Sequence, residues 1–207
     1  MSTTTTPTLL RIDSSARHAQ STSRELGDRL QQRWLAAHPG GRMLHRDLAA
    51  EPLPHIDADW IAASYTETDE RSAVQHEHLA LSQALIDELR QADALLVTVP
   101  LYNFGVPATL KAWIDLICRA RETFAYGADG PRGLLSDRPV YLVLATGGVP
   151  AGSPVDFAST YLVHVFGFLG LRDVRLIAAD RLNLDMAGAL ARAVARLDEV
   201  FDAQALA

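Results

Sequence analysis

Unbroken apolar runs mark the strands of this chain. They occupy residues 8–12, 94–99, 140–145 and 174–179, with a weaker fifth run at 43–46. A strand exposed on one face alternates apolar with polar side chains, whereas a strand covered on both faces is apolar throughout. Between the runs, apolar residues recur at intervals of three and four. Leu26, Leu30 and Trp34 form one such set, Leu79, Leu85, Ile86 and Leu89 a second, and Leu110, Trp113, Ile114 and Ile117 a third. This spacing gathers them on one stripe of a helix. Leu190, Val194, Leu197 and Phe201 repeat the pattern near the end, and the apolar stretch 161–169 predicts a further helix before the last strand. Strand and helix alternate, so the pattern predicts an α/β fold: a doubly wound five-stranded parallel sheet with helices on both faces.

Two connections exceed ordinary loop length. Residues 49–72 hold Pro52, Pro54 and a short helix-like stretch at 59–65, and residues 121–139 are rich in Gly, Pro and aromatic side chains. In a compact α/β domain, excursions of this kind build a binding site or an interface. No repeat or low-complexity linker divides the chain, so residues 1–207 read as a single domain, with the Ser/Thr-rich 1–7 as a frayed arm.

Composition narrows the partners. A hydrophobic fraction of 48% with 21% charged residues excludes a disordered tail or a coiled coil. The 19 basic and 25 acidic residues leave a net charge of −6 without any run of Lys or Arg, which disfavours nucleic acid and anionic membrane. No segment approaches the apolar length of a membrane span. The single cysteine, Cys118, cannot form an intramolecular disulfide, and a reducing cytoplasm is the expected compartment.

The segment after the first strand concentrates hydroxyls where a helix begins: Ser14, Ser15, Ser21, Thr22 and Ser23. A helix N-terminus offers unsatisfied N–H groups and positive potential to an anion, and small hydroxyls add donors without bulk. Simple capping is the alternative, since Thr22 and Glu25 have the spacing of a capping box. The segment contains no glycine, which excludes both a Walker loop and a Gly-x-Gly-x-x-Gly dinucleotide turn. A terminal phosphate monoester such as that of FMN suits it better.

After the third strand stands Pro100-Leu101-Tyr102-Asn103-Phe104-Gly105, where Gly105 suits a tight turn and the aromatics offer a wall for a flat ring. The fourth strand ends in Ala145-Thr146-Gly147-Gly148. If the strand order is 2-1-3-4-5, all three segments border the crevice at the carboxyl ends of the strands.

These residues resemble the FMN-dependent NADH azoreductase and quinone reductase family, which has a flavodoxin-like fold. The resemblance runs from the first strand to Gly170 and includes Arg46-Asp47-Leu48-Ala49 and Phe166-Gly167-Phe168-Leu169-Gly170. It implies that Ser15, Ser21, Thr22 and Ser23 hold the FMN phosphate. Leu101, Tyr102, Asn103 and Phe104 match the family's Met-Tyr-Asn-Phe motif at the isoalloxazine, and Ala145, Thr146, Gly147 and Gly148 match its Ser-Arg-Gly-Gly or Ala-Ser-Gly-Gly motif. Family members are homodimers, which implies a substrate pocket walled by Tyr126 and the partner subunit's Phe168. The implied reaction is ping-pong: NADH or NADPH reduces the flavin, then a quinone or azo compound takes its place. The flavin carries the chemistry, so no catalytic side chain and no metal is expected. A flavodoxin-type electron carrier or a flavin-binding regulator is the alternative. Carriers are shorter and more acidic, and neither alternative turns over NADH in the steady state.

Overall fold

The computed structural model describes residues 6–202. Most of the expected frayed arm, residues 1–5, lies outside them, whereas the Pro7 carbonyl already accepts the Arg42 N–H at 2.8 Å. Five strands form the main sheet: β1 (Thr8–Asp13), β2 (Arg42–Asp47), β3 (Ala94–Pro100), β6 (Val140–Ala145) and β7 (Val174–Ala179). All neighbours are parallel and the order is β2-β1-β3-β6-β7, which is 2-1-3-4-5 when these five are counted alone. The weak apolar run at 43–46 is an edge strand, half-buried where β1, β3 and β6 are buried throughout.

Alternate residues of the strands feed two separate cores. Leu9, Leu96, Tyr141, Val143 and Ile177 pack with α1 (Thr22–Ala37) and α6 (Met186–Asp202) around the fully buried Trp34. Leu10, Ile12, Val97, Leu142 and Leu144 turn to the opposite face. There they meet α2 (Ala58–Tyr65), α3 (Ala73–Gln91), α4 (Ala108–Ile117) and α5 (Ser159–Leu169), with Trp113 fully buried among them. Period-two strand geometry is what lets one continuous apolar run serve both layers.

The excursion at 121–139, read from the sequence only as a long connection, has secondary structure of its own. It folds into an antiparallel hairpin, β4 (Phe124–Gly127) with β5 (Gly130–Gly133), whose far end is tied down by Leu135 N–H donating to Leu169 O at 3.0 Å. Helix α5 stops at Gly170, which takes the left-handed conformation at φ 107°. Gly133 lies against that stop, and a Cβ there would fall 2.2 Å from Gly170 N and 2.3 Å from Leu169 C. Gly133→Ala should therefore cost about 1–3 kcal/mol, the usual range for overpacking. The check is a lower urea midpoint at unchanged m-value; a midpoint equal to the parent's would mean the hairpin is not seated on α5.

Candidate active site

Chain direction creates the site. From β1 the chain enters α1 on one face and continues to β2, while from β3 it enters α4 on the other face and continues to β6. Loops that part in this way leave a crevice at the carboxyl ends of β1 and β3. The strands end together there, with Asp13 beside Thr98 and Pro100 beside Ala145. A cleft of about 320 Å³ opens at this point.

Ser15, Ser21, Thr22 and Ser23 line one end of it. The expected Thr22–Glu25 capping box does not form, because α1 begins at Thr22 and Ser21 occupies the cap position, extended and without a side-chain capping bond. The Ser21 hydroxyl instead donates to Ser15 Oγ at 2.9 Å and lies 3.3 Å from Ser23 Oγ, and Ser15 Oγ accepts the Arg17 N–H at 3.2 Å. Three hydroxyls thus meet at the positive end of a helix, linked to one another rather than to the helix N–H groups. Arg17 and Gln20 also line the cleft, although neither was expected there.

Beneath this loop sits a buried ionic group. Arg24 forks onto Asp47 at 2.7 and 2.8 Å and donates to the Ser15 carbonyl at 2.8 Å. Asp13, 1% exposed, accepts from Arg11 Nε at 3.1 Å and Thr98 Oγ1 at 2.7 Å, and His45 Nε2 lies 2.9 Å away. Burial pushes the Asp13 carboxyl up, but His45, the Arg11 charge and Thr98 together outweigh it and hold it below its ordinary value. The hydrogen bonds from Arg24 hold the Asp47 carboxyl far below the usual range.

Leu101 and Tyr102 line the middle of the cleft, and the Tyr102 hydroxyl accepts the Ala16 N–H at 3.3 Å. Tyr102 and Gly105 exchange two backbone bonds of 3.1 and 3.0 Å around a two-residue turn. Gly105 was expected to supply the unusual backbone; instead Asn103 and Phe104 carry positive φ, 49° and 69°. Such a value is costly for a bulky residue such as Phe. The Phe157 N–H holds the turn by donating to Phe104 O at 3.1 Å, and the Phe104 ring remains 53% exposed. Asn103 and Phe104 stand beyond the lining of the cleft, as exposed residues on a turn that Tyr102 carries into it.

Ala145, Thr146 and Gly147 line the far wall, while Gly148 stands outside. Gly147 packs against the Asn183 amide: a Cβ would sit 2.8 Å from Asn183 Nδ2, so a larger residue would displace that side chain. The Thr146 hydroxyl is turned inward, donating to Val149 O and accepting the Arg181 N–H. Leu182, Asn183 and Met186 complete this wall and were missed by sequence reasoning. Their loop is tied on by Leu182 N–H to Thr146 O at 3.0 Å and Asn183 N–H to Gly147 O at 2.8 Å. The register Ala145 beside Ala179 brings the end of β7 to the same edge, so the switch-point argument extends to a fourth loop.

Tyr126 and Phe168 lie outside the cleft. Both rings contact Phe124, with centroids at 5.5 and 4.6 Å, and Tyr126 borders a second groove of about 250 Å³ with Trp60, Tyr65 and Cys118. Burial pushes the Cys118 thiol up to about 12, so it is neutral at pH 7. Among the described residues, no group of three His, Cys, Asp or Glu is placed to hold a metal ion, and no helix is long and apolar enough to cross a membrane.

This sheet order, with a cleft at its switch point, defines a flavodoxin-like protein. A family profile described as flavodoxin-like fold matches residues 7–201. A protein of Hahella chejuensis named FMN-dependent NADH:quinone oxidoreductase 1 is 49% identical over 185 residues, covering 89% of this chain and 90% of its own. One from Xanthobacter autotrophicus, named FMN-dependent NADH:quinone oxidoreductase, is 49% identical over 174 residues, covering 82% and 84%. Among solved structures, an azoreductase from Bacillus anthracis superposes with a TM-score of 0.84 at 27% identity, over 95% of this chain and 98% of that one. The chain belongs to the family of FMN-dependent NADH:quinone oxidoreductases.

The Asp47–Arg24 pair has a defined pH signature. Asp47 is lowered on folding from 3.8, so its contribution to stability is complete above about pH 4 and is lost as pH falls below that value. Asp47→Asn should lower Tm at pH 7, and the gap to the parent should narrow steadily from pH 4 towards 2. A gap that stays constant across that range would show that Asp47 is not held by charge.

Proposed function

We propose that this chain binds one FMN in the cleft, takes hydride equivalents from NADH or NADPH, and delivers two electrons to a quinone or an azo compound. The observation that carries the reading is the group of serine hydroxyls at the mouth of α1, relieved of capping and opening into a cleft with an aromatic side chain on one wall and Gly147 on the other. Those residues fit FMN: one end is built for a small anion and the rest for a flat ring.

Ser15, Ser21, Thr22 and Ser23 hold the phosphate. Leu101 and Tyr102 flank the ring on one side, with Asn103 and Phe104 on the exposed turn at its margin, and Ala145, Thr146 and Gly147 approach it on the other, with Gly148 at the rim. Bound FMN supplies the hydride-accepting and hydride-donating chemistry. The chain's own part is to position, desolvate and expose one working face, which donor and acceptor occupy in turn, giving ping-pong kinetics. No side chain of the cleft is assigned as an acid or base.

A homodimer covers that face. Phe104, Phe157 and Tyr126 are 53%, 60% and 75% exposed, an apolar surface of the kind that a partner buries. On this reading Tyr126 of one subunit and Phe168 of the partner subunit wall the acceptor pocket. A chain with one cysteine, held as a neutral thiol, suits the cytoplasm.

Purified protein reconstituted with FMN should oxidise NADH in the steady state when a quinone is present. A flavin that is reduced once and never turns over would favour an electron carrier instead. Replacing Ser21 and Ser23 together by Ala should weaken FMN binding by about tenfold or more, given about 1.5–3 kcal/mol per hydrogen bond to a charged group. Unchanged affinity would return those hydroxyls to a structural role. The dimer is checked separately: Tyr126→Ala should raise KM for the acceptor and reorder acceptors at constant FMN content, and sedimentation should give two chains. A monomer with full activity would refute the shared pocket.

A further inference from the structure

We infer that Arg24 is the positioning residue of the phosphate loop, acting with Asp47 to turn the Ser15 peptide so that the cleft presents donors alone. The inference rests on the reading of the loop after β1 as the phosphate site and concerns how that site is held in shape.

A loop that receives a dianion must turn N–H and O–H groups inward, because a peptide carbonyl facing the anion repels it. The carbonyl at risk is that of Ser15, whose hydroxyl stands in the cleft. It is drawn to the buried side, where it accepts Arg24 Nη2 at 2.8 Å. The Arg24 residue is 9% exposed, and the other hydrogen bonds of its guanidinium go to carboxylates: Asp47 through both oxygens and Asp13 Oδ2 at 3.3 Å. Its Nε is buried without a hydrogen-bond partner in the structure, so the orientation that serves both Asp47 and Ser15 leaves one donor unmet. Asp47 Oδ1 also accepts the Ala49 and Ala50 N–H groups at 3.0 and 3.2 Å. One guanidinium thereby ties the loop after β1 to the loop after β2. On the other flank Ser14 Oγ donates to Thr98 O at 2.7 Å and fixes the start of the loop to β3.

Two carboxylates already face this cation, so its service to the phosphate is geometry rather than charge. That distinction separates Arg from Lys. A lysine ammonium restores the charge but cannot span two carboxylate oxygens and a carbonyl in one plane.

The experiment compares FMN with riboflavin, which lacks the phosphate, by flavin fluorescence titration of the full chain. The parent should bind FMN more tightly than riboflavin. Arg24→Lys should lose about tenfold or more in FMN affinity while riboflavin affinity stays within about twofold, as expected when only charge-assisted bonds to the phosphate are misplaced. Asp47→Asn, nearly equal in shape, should move the FMN-to-riboflavin ratio in the same direction by a smaller factor, and it carries the test if Arg24→Lys does not fold. A ratio equal to the parent's, whether both affinities are kept or both fall alike, overturns the positioning role and leaves the phosphate site standing. A parent with no preference for FMN over riboflavin removes the phosphate site and this inference with it.

Discussion

A carboxylate withdrawn from water stays ionised only if its neighbours replace the water, and at the end of β1 the arrangement of four elements around Asp13 meets that demand. Arg11 reaches it along the strand, Thr98 from β3, His45 from β2 and Arg24 from α1. Leaving a buried charge unpaired costs about 3–5 kcal/mol, and with four partners Asp13 keeps company even when one is lost. The packing around it is correspondingly tight. A Cβ on Gly27 of α1 would fall 2.6 Å from Thr98 Cγ2, so this helix comes down onto β3 only because the position is glycine. Asp13 therefore ties the sheet order to the helix that supplies the hydroxyls.

Consequences spread along the same edge. With α1 fixed over β1 and β3, Ser21 and Ser23 are carried to one spot, and the loop between them and the strand has its two flanks pinned by Thr98 and Arg24. The turn after β3 is held differently. It has no ionic anchor, and its two positive-φ residues are kept in place by the paired Tyr102–Gly105 bonds and by Phe157. Exposed aromatic area on a costly backbone is retained where surrounding structure imposes it, and here the structure after β6 does so.

Much of this was legible in the sequence, for physical reasons. The strands of the sheet centre have no polar face, so their apolar runs stood out; β2, at the edge, was faint because one side meets solvent. Ser15, Ser21 and Tyr102 were found because hydroxyls crowding a helix start and a strand-ending aromatic turn are local patterns. Arg24 and Asp13 were not found, since a buried charge declares itself only through its partners, and those come from other elements: Asp13 meets Thr98 of β3, and Arg24 meets Asp47 of β2. Leu182 and Asn183 were invisible for the same reason, being brought in by the β6–β7 register. The hairpin at 124–133 was obscured by its glycines, which interrupt any strand-like alternation, although Gly133 marks a close contact.

The cleft divides its work between two kinds of support, and this bears on how it tolerates change. At the end nearest α1 the cleft is lined by the short hydroxyls of Ser15, Ser21, Thr22 and Ser23, with the buried ions Arg24, Asp13 and Asp47 behind them. At the other end Tyr102, Leu182 and Met186 stand around glycine backbone, a lining defined by shape more than by charge. Apolar walls discriminate among flat partners by only about 1–3 kcal/mol per group that fits or fails to fit. Sharp selection among ligands in a cleft of this build falls to its polar end, and breadth to its apolar one. The two ends share a floor, the aligned carboxyl edges of β1, β3 and β6, and they are joined above it by the Tyr102 hydroxyl, which accepts the Ala16 N–H of the loop after β1. A substitution at Tyr102 therefore reaches the hydroxyl end as well, and changes made at both ends of this cleft need not add.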